Sequence, residues 1–309
     1  MKRPPHQRSA RVQLGDYSFT KKGVSRFDWT DPYHVAVSLT WPQFFASLLG
    51  VYLTVNVLFA GLYTIVPGSI ANAKPYDFLD AFFFSFETLA TVGYGEMYPG
   101  SLYGHFVACA EITSGISFTA ILTGLTFVRF ARPRAKFVFA KQLVVTSHNG
   151  VPTLMARVGN GRAIVLSDAR ARLSVLLSET TAEGATFRRA HDLRLQRAHI
   201  PIFPLTWTLI HTIDDKSALR GFDSTAMIAA DARVFLSFEA RDPSLAATVQ
   251  EVRSYPPSDV VFGMRYADVI DQADDGTPIA DLTRISELEP DIGVQLPFAG
   301  WAEEEESEA

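Results

Sequence analysis

Thr91-Val92-Gly93-Tyr94-Gly95 is the stretch of this 309-residue chain whose residue types can do the most specific chemistry. Two glycines at alternate positions let the backbone take unusual dihedral angles at low cost, so that successive carbonyl oxygens turn toward one axis. Four copies around that axis would replace the water shell of a dehydrated potassium ion, held at Thr91, Val92, Gly93 and Tyr94. The pentapeptide is itself the well-known potassium-filter sequence, so this reading is recognition supported by physics. The Thr91 hydroxyl would supply the innermost oxygens, while Val92 and Tyr94 point away and brace the ring.

Such a loop works only at membrane depth, where non-helical backbone must be buried in protein or line a water-filled cavity. Three elements are expected to hold it there. Phe44 to Val66 and Phe106 to Val128 are apolar runs long enough to cross a hydrocarbon core of about 30 Å. Between them Phe78 to Leu89 reads as a short helix, with Pro75 ahead of it and Asp77 and Asp80 at its start. Too short to span, it dips in and returns, aiming its partly negative C-terminal end at a cation below. Asp31 to Trp41 reads as a further short helix lying along the interface, capped by Asp31 with Pro32 in its first turn. Basic residues before the first run and after the second put both termini in the cytoplasm.

The second run should line the pore. Gly115 and Gly124 interrupt it, and at Gly115 close helix packing and a hinge are both open readings. Phe127, near the cytoplasmic end, fits a hydrophobic constriction, with a lipid-facing side chain as the competing view. Thr119, four residues after Gly115, lines the cavity in this reading. Glu87 and Glu111 are ionisable groups at membrane depth, expected to brace the filter from behind. Arg129, Arg132, Arg134 and Lys136 crowd the inner boundary; they set topology and suit anionic lipid headgroups, at about 1 kcal/mol each.

From about residue 137 the pattern changes to short β-type runs, best at Gln142–Ser147, Thr153–Val158, Ala163–Leu166, Leu173–Leu177, Leu205–Ile213, Arg233–Ala240 and Val260–Ile270. Their spacing favours a β-sandwich. His148-Asn149-Gly150 and Gly159-Asn160-Gly161 mark turns; the second, too incomplete for a dinucleotide fingerprint, reads as a hairpin. The lone Cys109 reads as a small buried hydrophobe, and no cleavable signal peptide is expected. A net charge of −5 argues against a nucleic-acid partner, and no catalytic or metal-binding constellation is visible, so neither an enzyme nor a cofactor beyond the permeant ion is expected.

Further pieces give this pattern a family. Asp31-Pro32-Tyr33-His34, Ser38-Leu39-Thr40-Trp41-Pro42, the filter, Arg129-Phe130-Ala131-Arg132-Pro133-Arg134-Ala135-Lys136, His211-Thr212-Ile213-Asp214-Asp215-Lys216-Ser217-Ala218-Leu219, Arg265-Tyr266 and Asp281-Leu282-Thr283-Arg284 together resemble the prokaryotic inward-rectifier potassium (KirBac) channels. The resemblance implies a homotetramer with an immunoglobulin-like cytoplasmic domain and a slide helix coupling that domain to the gate. It implies the hinge at Gly115, the constriction at Phe127 and phosphoinositide contact by Arg129, Arg132, Arg134 and Lys136. At the position of Thr119, strongly rectifying relatives carry a carboxylate where magnesium or polyamines plug the cavity, so block there should be weak. Glu183 matches a cytoplasmic acidic ring that would still attract those cations. Met97 stands where eukaryotic relatives pair an arginine with the pore-helix glutamate, and Ala240 stands for a glycine of a constricting loop.

The expected organisation is an N-terminal arm (1–30), an interfacial slide helix (31–41), a two-span pore domain with its re-entrant helix (42–132), an all-β cytoplasmic sandwich (133–300) and an acidic tail (301–309). The inner cell membrane is its expected location. A voltage- or nucleotide-gated channel would need an arginine-repeat helix or a genuine Rossmann fingerprint, and neither is present. A non-conducting membrane scaffold is the rival from another class; it would have no use for Gly93 and Gly95.

Overall fold

The computed structural model describes residues 9–15, 17–23, 30–131, 133 and 135–291. They fall into two compact units, Ser25–Arg132 and, together, Met1–Val24 with Pro133–Ala309. The second unit opens with a hairpin inside the N-terminal arm that the sequence did not announce, strands β1 (Ser9–Leu14) and β2 (Tyr17–Lys22). Gly15 between them has φ +58°, and a Cβ there would lie 2.0 Å from the Val252 carbonyl oxygen. Only glycine meets both demands.

In the first unit, helix α1 (Pro32–Ser38) starts on Asp31, whose carboxylate accepts the His34 N–H at 2.9 Å. It ends at Ser38, short of the expected Trp41. The physical reason lies in the next four residues: the Gln43 side chain accepts the Thr40 N–H at 3.1 Å, and Pro42 is suited to a first turn. Trp41 therefore opens helix α2 (Trp41–Ile65) instead of closing α1. A tight pair, β3 (Ile70–Ala71) with β4 (Tyr98–Pro99), brackets helix α3 (Phe78–Leu89), which has the expected bounds. The Asp77 carboxylate caps α3, accepting from the Leu79 and Asp80 N–H groups at 2.9 and 3.4 Å. Helix α4 (Leu102–Phe130) completes the unit. Only 11% and 22% of the most apolar windows of α2 and α4 are buried, whereas a soluble core helix would be mostly buried. The two helices are membrane spans; α2 starts three residues ahead of its apolar run, and α4 outruns its own at both ends. Cys109, expected inside, lies exposed on α4.

The second unit continues with β5 (Phe137–Phe139), β6 (Leu143–His148), β7 (Val151–Asn160), β8 (Leu166–Thr180), β9 (Thr186–Leu193), β10 (His199–Phe203), β11 (Thr206–Thr212), α5 (Ser224–Ala229), β12 (Arg233–Asp242), β13 (Ala247–Tyr255) and β14 (Val260–Phe262). One sheet runs β10-β8-β12-β13 with β9 also on β8; the other runs β11-β7-β6-β14 with β5 on β7. Leu143, Val145, Leu154 and Val158 from one sheet share a core with Leu173, Val175, Val234 and Phe238 from the other. This is the expected immunoglobulin-like sandwich.

Turn chemistry explains which strand readings held. Asn149 and Gly150 have φ +55° and +79°, a two-residue hairpin turn joining β6 to β7. Gly159-Asn160-Gly161 is not the expected hairpin. Gly159 and Asn160 end β7, where Asn160 is buried and its amide donates to the carbonyls of Ile164 (2.7 Å) and Phe203 (3.1 Å). The side chain thus staples a loop, and the expected strand Ala163–Leu166 is that loop, with β8 beginning only at Leu166. Val260–Ile270 is likewise broken, since Gly263 takes φ +73° just after β14. Strands β5, β9, β10 and β13 escaped the sequence reading; β9 exposes Thr186 to Ala190 in succession and so has no alternation to detect. Ala240 sits inside β12, buried opposite Val249, and not in a loop.

Candidate permeation site

Thr91, Gly93 and Gly95 have φ of +57°, +56° and +87°. Every second residue of the pentapeptide is left-handed, which is the alternation needed to turn successive carbonyls the same way. Threonine tolerates this conformation poorly, so Thr91 is held by its surroundings: its N–H donates to the Thr88 carbonyl at 3.0 Å, and the Val92 N–H to the Glu87 carbonyl at 2.8 Å. The segment therefore hangs from the last turn of α3. In one subunit Val92 and Tyr94 are 52% and 79% exposed.

Behind α3 lies a buried polar network. Glu111 on α4 is fully buried and accepts from the Tyr63 hydroxyl of α2 at 2.8 Å and from the Ser85 hydroxyl of α3. Ser85 also lies 3.2 Å from both the side-chain and backbone oxygens of Asn56 on α2. Asn56 in turn donates to the Tyr52 carbonyl at 2.8 Å. One carboxyl group thus gathers the two spans and the half-helix, and every partner is an uncharged donor. Sequence reasoning singled out Glu111 but passed over Tyr63 and Ser85; a tyrosine and a serine inside membrane-depth segments were the available signal.

Glu87 is not in this network. Its half-buried side chain faces a cavity of about 400 Å³ shared with Thr88, Thr91, Met97 and Ile112, and it has no side-chain partner among the described residues. Gly115 packs against the end of α3, where a Cβ would lie 2.2 Å from the Leu89 carbonyl oxygen; nothing lies within 4 Å of a Cβ at Gly124. Thr119 is exposed and its hydroxyl donates back to the Gly115 carbonyl at 3.0 Å. Phe127 is 70% exposed near the end of α4.

Arg129 is engaged by protein. Its guanidinium donates to the carbonyls of Ala36 (2.8 Å), Val37 (3.2 Å) and Leu39 (2.9 Å) at the C-terminal end of α1. It also stands 4.6 and 4.5 Å from the ring centroids of Trp41 and Phe44. A cation on a helix C-terminus satisfies orphan carbonyls and complements the dipole. Lys136 is exposed in the second unit; Arg132 and Arg134 lie outside the described residues. Glu183 is exposed at the tip of the β8–β9 hairpin, beside Gly184 at φ +81°. A hydrogen bond from Thr181 lowers its carboxyl below the usual range, so it is charged at neutral pH.

Residues 137–308 match the family model for the inward rectifier potassium channel C-terminal domain, and residues 50–132 match an ion channel model. Two membrane spans around a re-entrant half-helix, followed by a β-sandwich, define a two-span channel subunit. The chain belongs to the inward rectifier potassium channel family, on its prokaryotic branch. It is 33% identical over 287 residues to inward rectifier potassium channel Kirbac3.1 of Paramagnetospirillum magnetotacticum, an alignment covering 92% of this chain and 97% of that one. Animal relatives are more distant. Inward rectifier potassium channel irk-1 of Caenorhabditis elegans is 27% identical over 62% of this chain and 37% of its own. ATP-sensitive inward rectifier potassium channel 10 of Homo sapiens is 28% identical over 67% of this chain and 57% of its own.

Proposed function

We propose that four copies of this chain form a potassium-selective inward-rectifier-type pore in the inner cell membrane, with Thr91-Val92-Gly93-Tyr94-Gly95 as its filter and both termini cytoplasmic. The observation that carries this reading is the left-handed backbone at Thr91, Gly93 and Gly95, directly beyond the C-terminal end of α3. Carbonyls of that loop take over the coordination that water gives potassium in bulk, and the negative end of α3 favours a cation in the cavity. Purified protein in liposomes tests it: potassium flux should exceed sodium flux and be blocked by barium. Sodium passing as readily as potassium, or an assembly without four-fold symmetry, would sink the proposal.

Glu111 supports the filter through Ser85 on α3, and Glu87 faces the pocket it shares with Thr91, Met97 and Ile112. The gate is the ring of four Phe127 side chains. Close packing at Gly115 favours that glycine as a contact point and leaves Gly124, with open space around it, as the freer hinge. Arg129 links α1 to the gate-bearing helix, and headgroup binding falls to Arg132, Arg134 and Lys136. Neutralising Arg132 and Arg134 should weaken the response to anionic lipid or phosphoinositide while leaving ion preference intact. The uncharged Thr119 gives weak block by magnesium or polyamines, and Glu183 supplies what attraction they feel in the cytoplasmic vestibule. The working division is arm 1–30, slide segment 31–41, pore 42–132, sandwich 133–300 and tail 301–309, the last outside the described residues.

A further inference from the structure

The pentapeptide is anchored at its inner end by the Thr91 and Val92 N–H bonds to α3. Beyond Val92 the chain makes no further backbone hydrogen bond among the described residues until it has left Gly95, and a Cβ at Gly93 or Gly95 would meet nothing within 4 Å. Within the chain a segment carrying three left-handed residues and tied by its backbone at one end only needs an anchor at the other.

That anchor is a side chain. Asn72, in the loop after α2, donates from Nδ2 to the Glu96 carbonyl at 2.7 Å, one residue past Gly95. Asn72 is itself left-handed, with φ +64°, a conformation asparagine accepts more readily than almost any other residue with a Cβ. Its loop is well pinned. Ala71 pairs with Tyr98 and Ile70 with Pro99, and the Gly100 N–H donates to the Ser69 carbonyl at 2.9 Å. Glycines 100 and 104 are pressed against this loop, where a Cβ would lie 2.8 Å from the Gly68 carbonyl oxygen and 2.1 Å from that of Ser69. The pairing holds residues 98–100; among the described residues only Asn72 reaches back to residue 96.

We propose that Asn72 is a positioning residue for ion selection: its amide pins the outer end of the filter strand and so sets the spacing of the last carbonyl ring. The inference rests on the pentapeptide being the filter. Two variants separate the amide from the backbone strain. Asn72→Asp keeps size and tolerance of φ > 0 but cannot donate when ionised; Asn72→Gly removes the side chain and relieves any strain. Each is purified, checked for tetramer by size, reconstituted, and assayed for potassium-to-sodium flux ratio and for half-blocking external barium concentration.

Both variants should assemble, with the flux ratio lowered and the barium concentration raised by about fivefold, the scale of one hydrogen bond. A purely structural loop residue would change yield or heat stability and leave both ion readouts alone. Unchanged ion readouts in either assembled variant overturn the proposal, and so does loss of the tetramer in both. Failure of the underlying filter reading is distinguishable, because the unaltered protein would then show neither potassium preference nor barium block.

Discussion

The pore unit and the β-sandwich are stabilised in opposite ways. In the sandwich, burial is spread over many apolar side chains, from Leu143 and Val145 on one sheet to Val234 and Phe238 on the other, so no single contact decides the architecture. In the pore unit most of the apolar surface of α2 and α4 is not covered by the rest of the chain, and few of their residues are buried. Specificity there falls on isolated polar groups and close backbone approaches: Glu111 between three helices, Arg129 on the end of α1, Gly115 against Leu89. Where solvent exclusion cannot distinguish one apolar face from another, polar pairing and small residues do.

That contrast can be broken by mutation. Phe238, fully buried against Phe137 and Phe203, should have the largest effect on stability: Phe238→Ala is expected to cost about 3–5 kcal/mol. It should lower the midpoint of β-domain unfolding followed by circular dichroism, with the potassium-to-sodium ratio of surviving channels unchanged. In the pore unit a single methyl should suffice. Gly115→Ala forces a carbon against a carbonyl and should cost about 1–3 kcal/mol with a matching loss of flux, whereas Gly124→Ala should be near neutral. Equal effects at the two glycines would contradict the packing argument.

Glu111→Leu would orphan the Tyr63 hydroxyl, at about 1–3 kcal/mol, and leave Ser85 only its 3.2 Å contacts to Asn56. Glu111→Gln, which can still pair with both hydroxyls, should recover most of the heat resistance of the protein, measured by circular dichroism. If leucine and glutamine behaved alike, the network would not be what holds α3.

The smallest effect is one of pH, and it belongs to the sandwich. His211 is buried, with Nδ1 donating to the Arg194 carbonyl at 2.8 Å and Nε2 accepting from the Ser217 hydroxyl at 2.8 Å. Burial holds its pKa below the ordinary histidine value, so the unfolded chain takes up a proton more readily than the folded one. Stability is therefore fully present above the unfolded value of about 6.5 and falls as the pH drops below it. His211→Asn, which retains a donor toward Arg194, should flatten the dependence of the unfolding midpoint between about pH 7 and 5.

Legibility followed the same divide. Asp77 and Leu89 bounded the half-helix correctly because cap and periodicity are local signals. Thr40-x-x-Gln43 with Pro42 was equally local and was missed, which carried the interfacial helix three residues too far. Asn149-Gly150 was read rightly as a turn, whereas Gly159-Asn160-Gly161 has similar residue types and a different fate. Asn160 is drawn inward by carbonyls of Ile164 and Phe203, one of them more than forty residues away in sequence. Strand β9, exposed over most of its length, owes its existence to pairing with β8 and not to any pattern of its own.

By itself the amino-acid order determined the two spans, the half-helix and the position of the left-handed pentapeptide, since apolar length, capping and glycine spacing act over a few residues. Tertiary structure alone decided that Tyr63 and Ser85 meet Glu111, that Arg129 closes the end of α1 and that Asn72 reaches Glu96. Those pairings join residues 24 to 93 positions apart, and nothing in local chemistry marks a hydroxyl, a guanidinium or an amide for a partner that only the folded chain brings within reach.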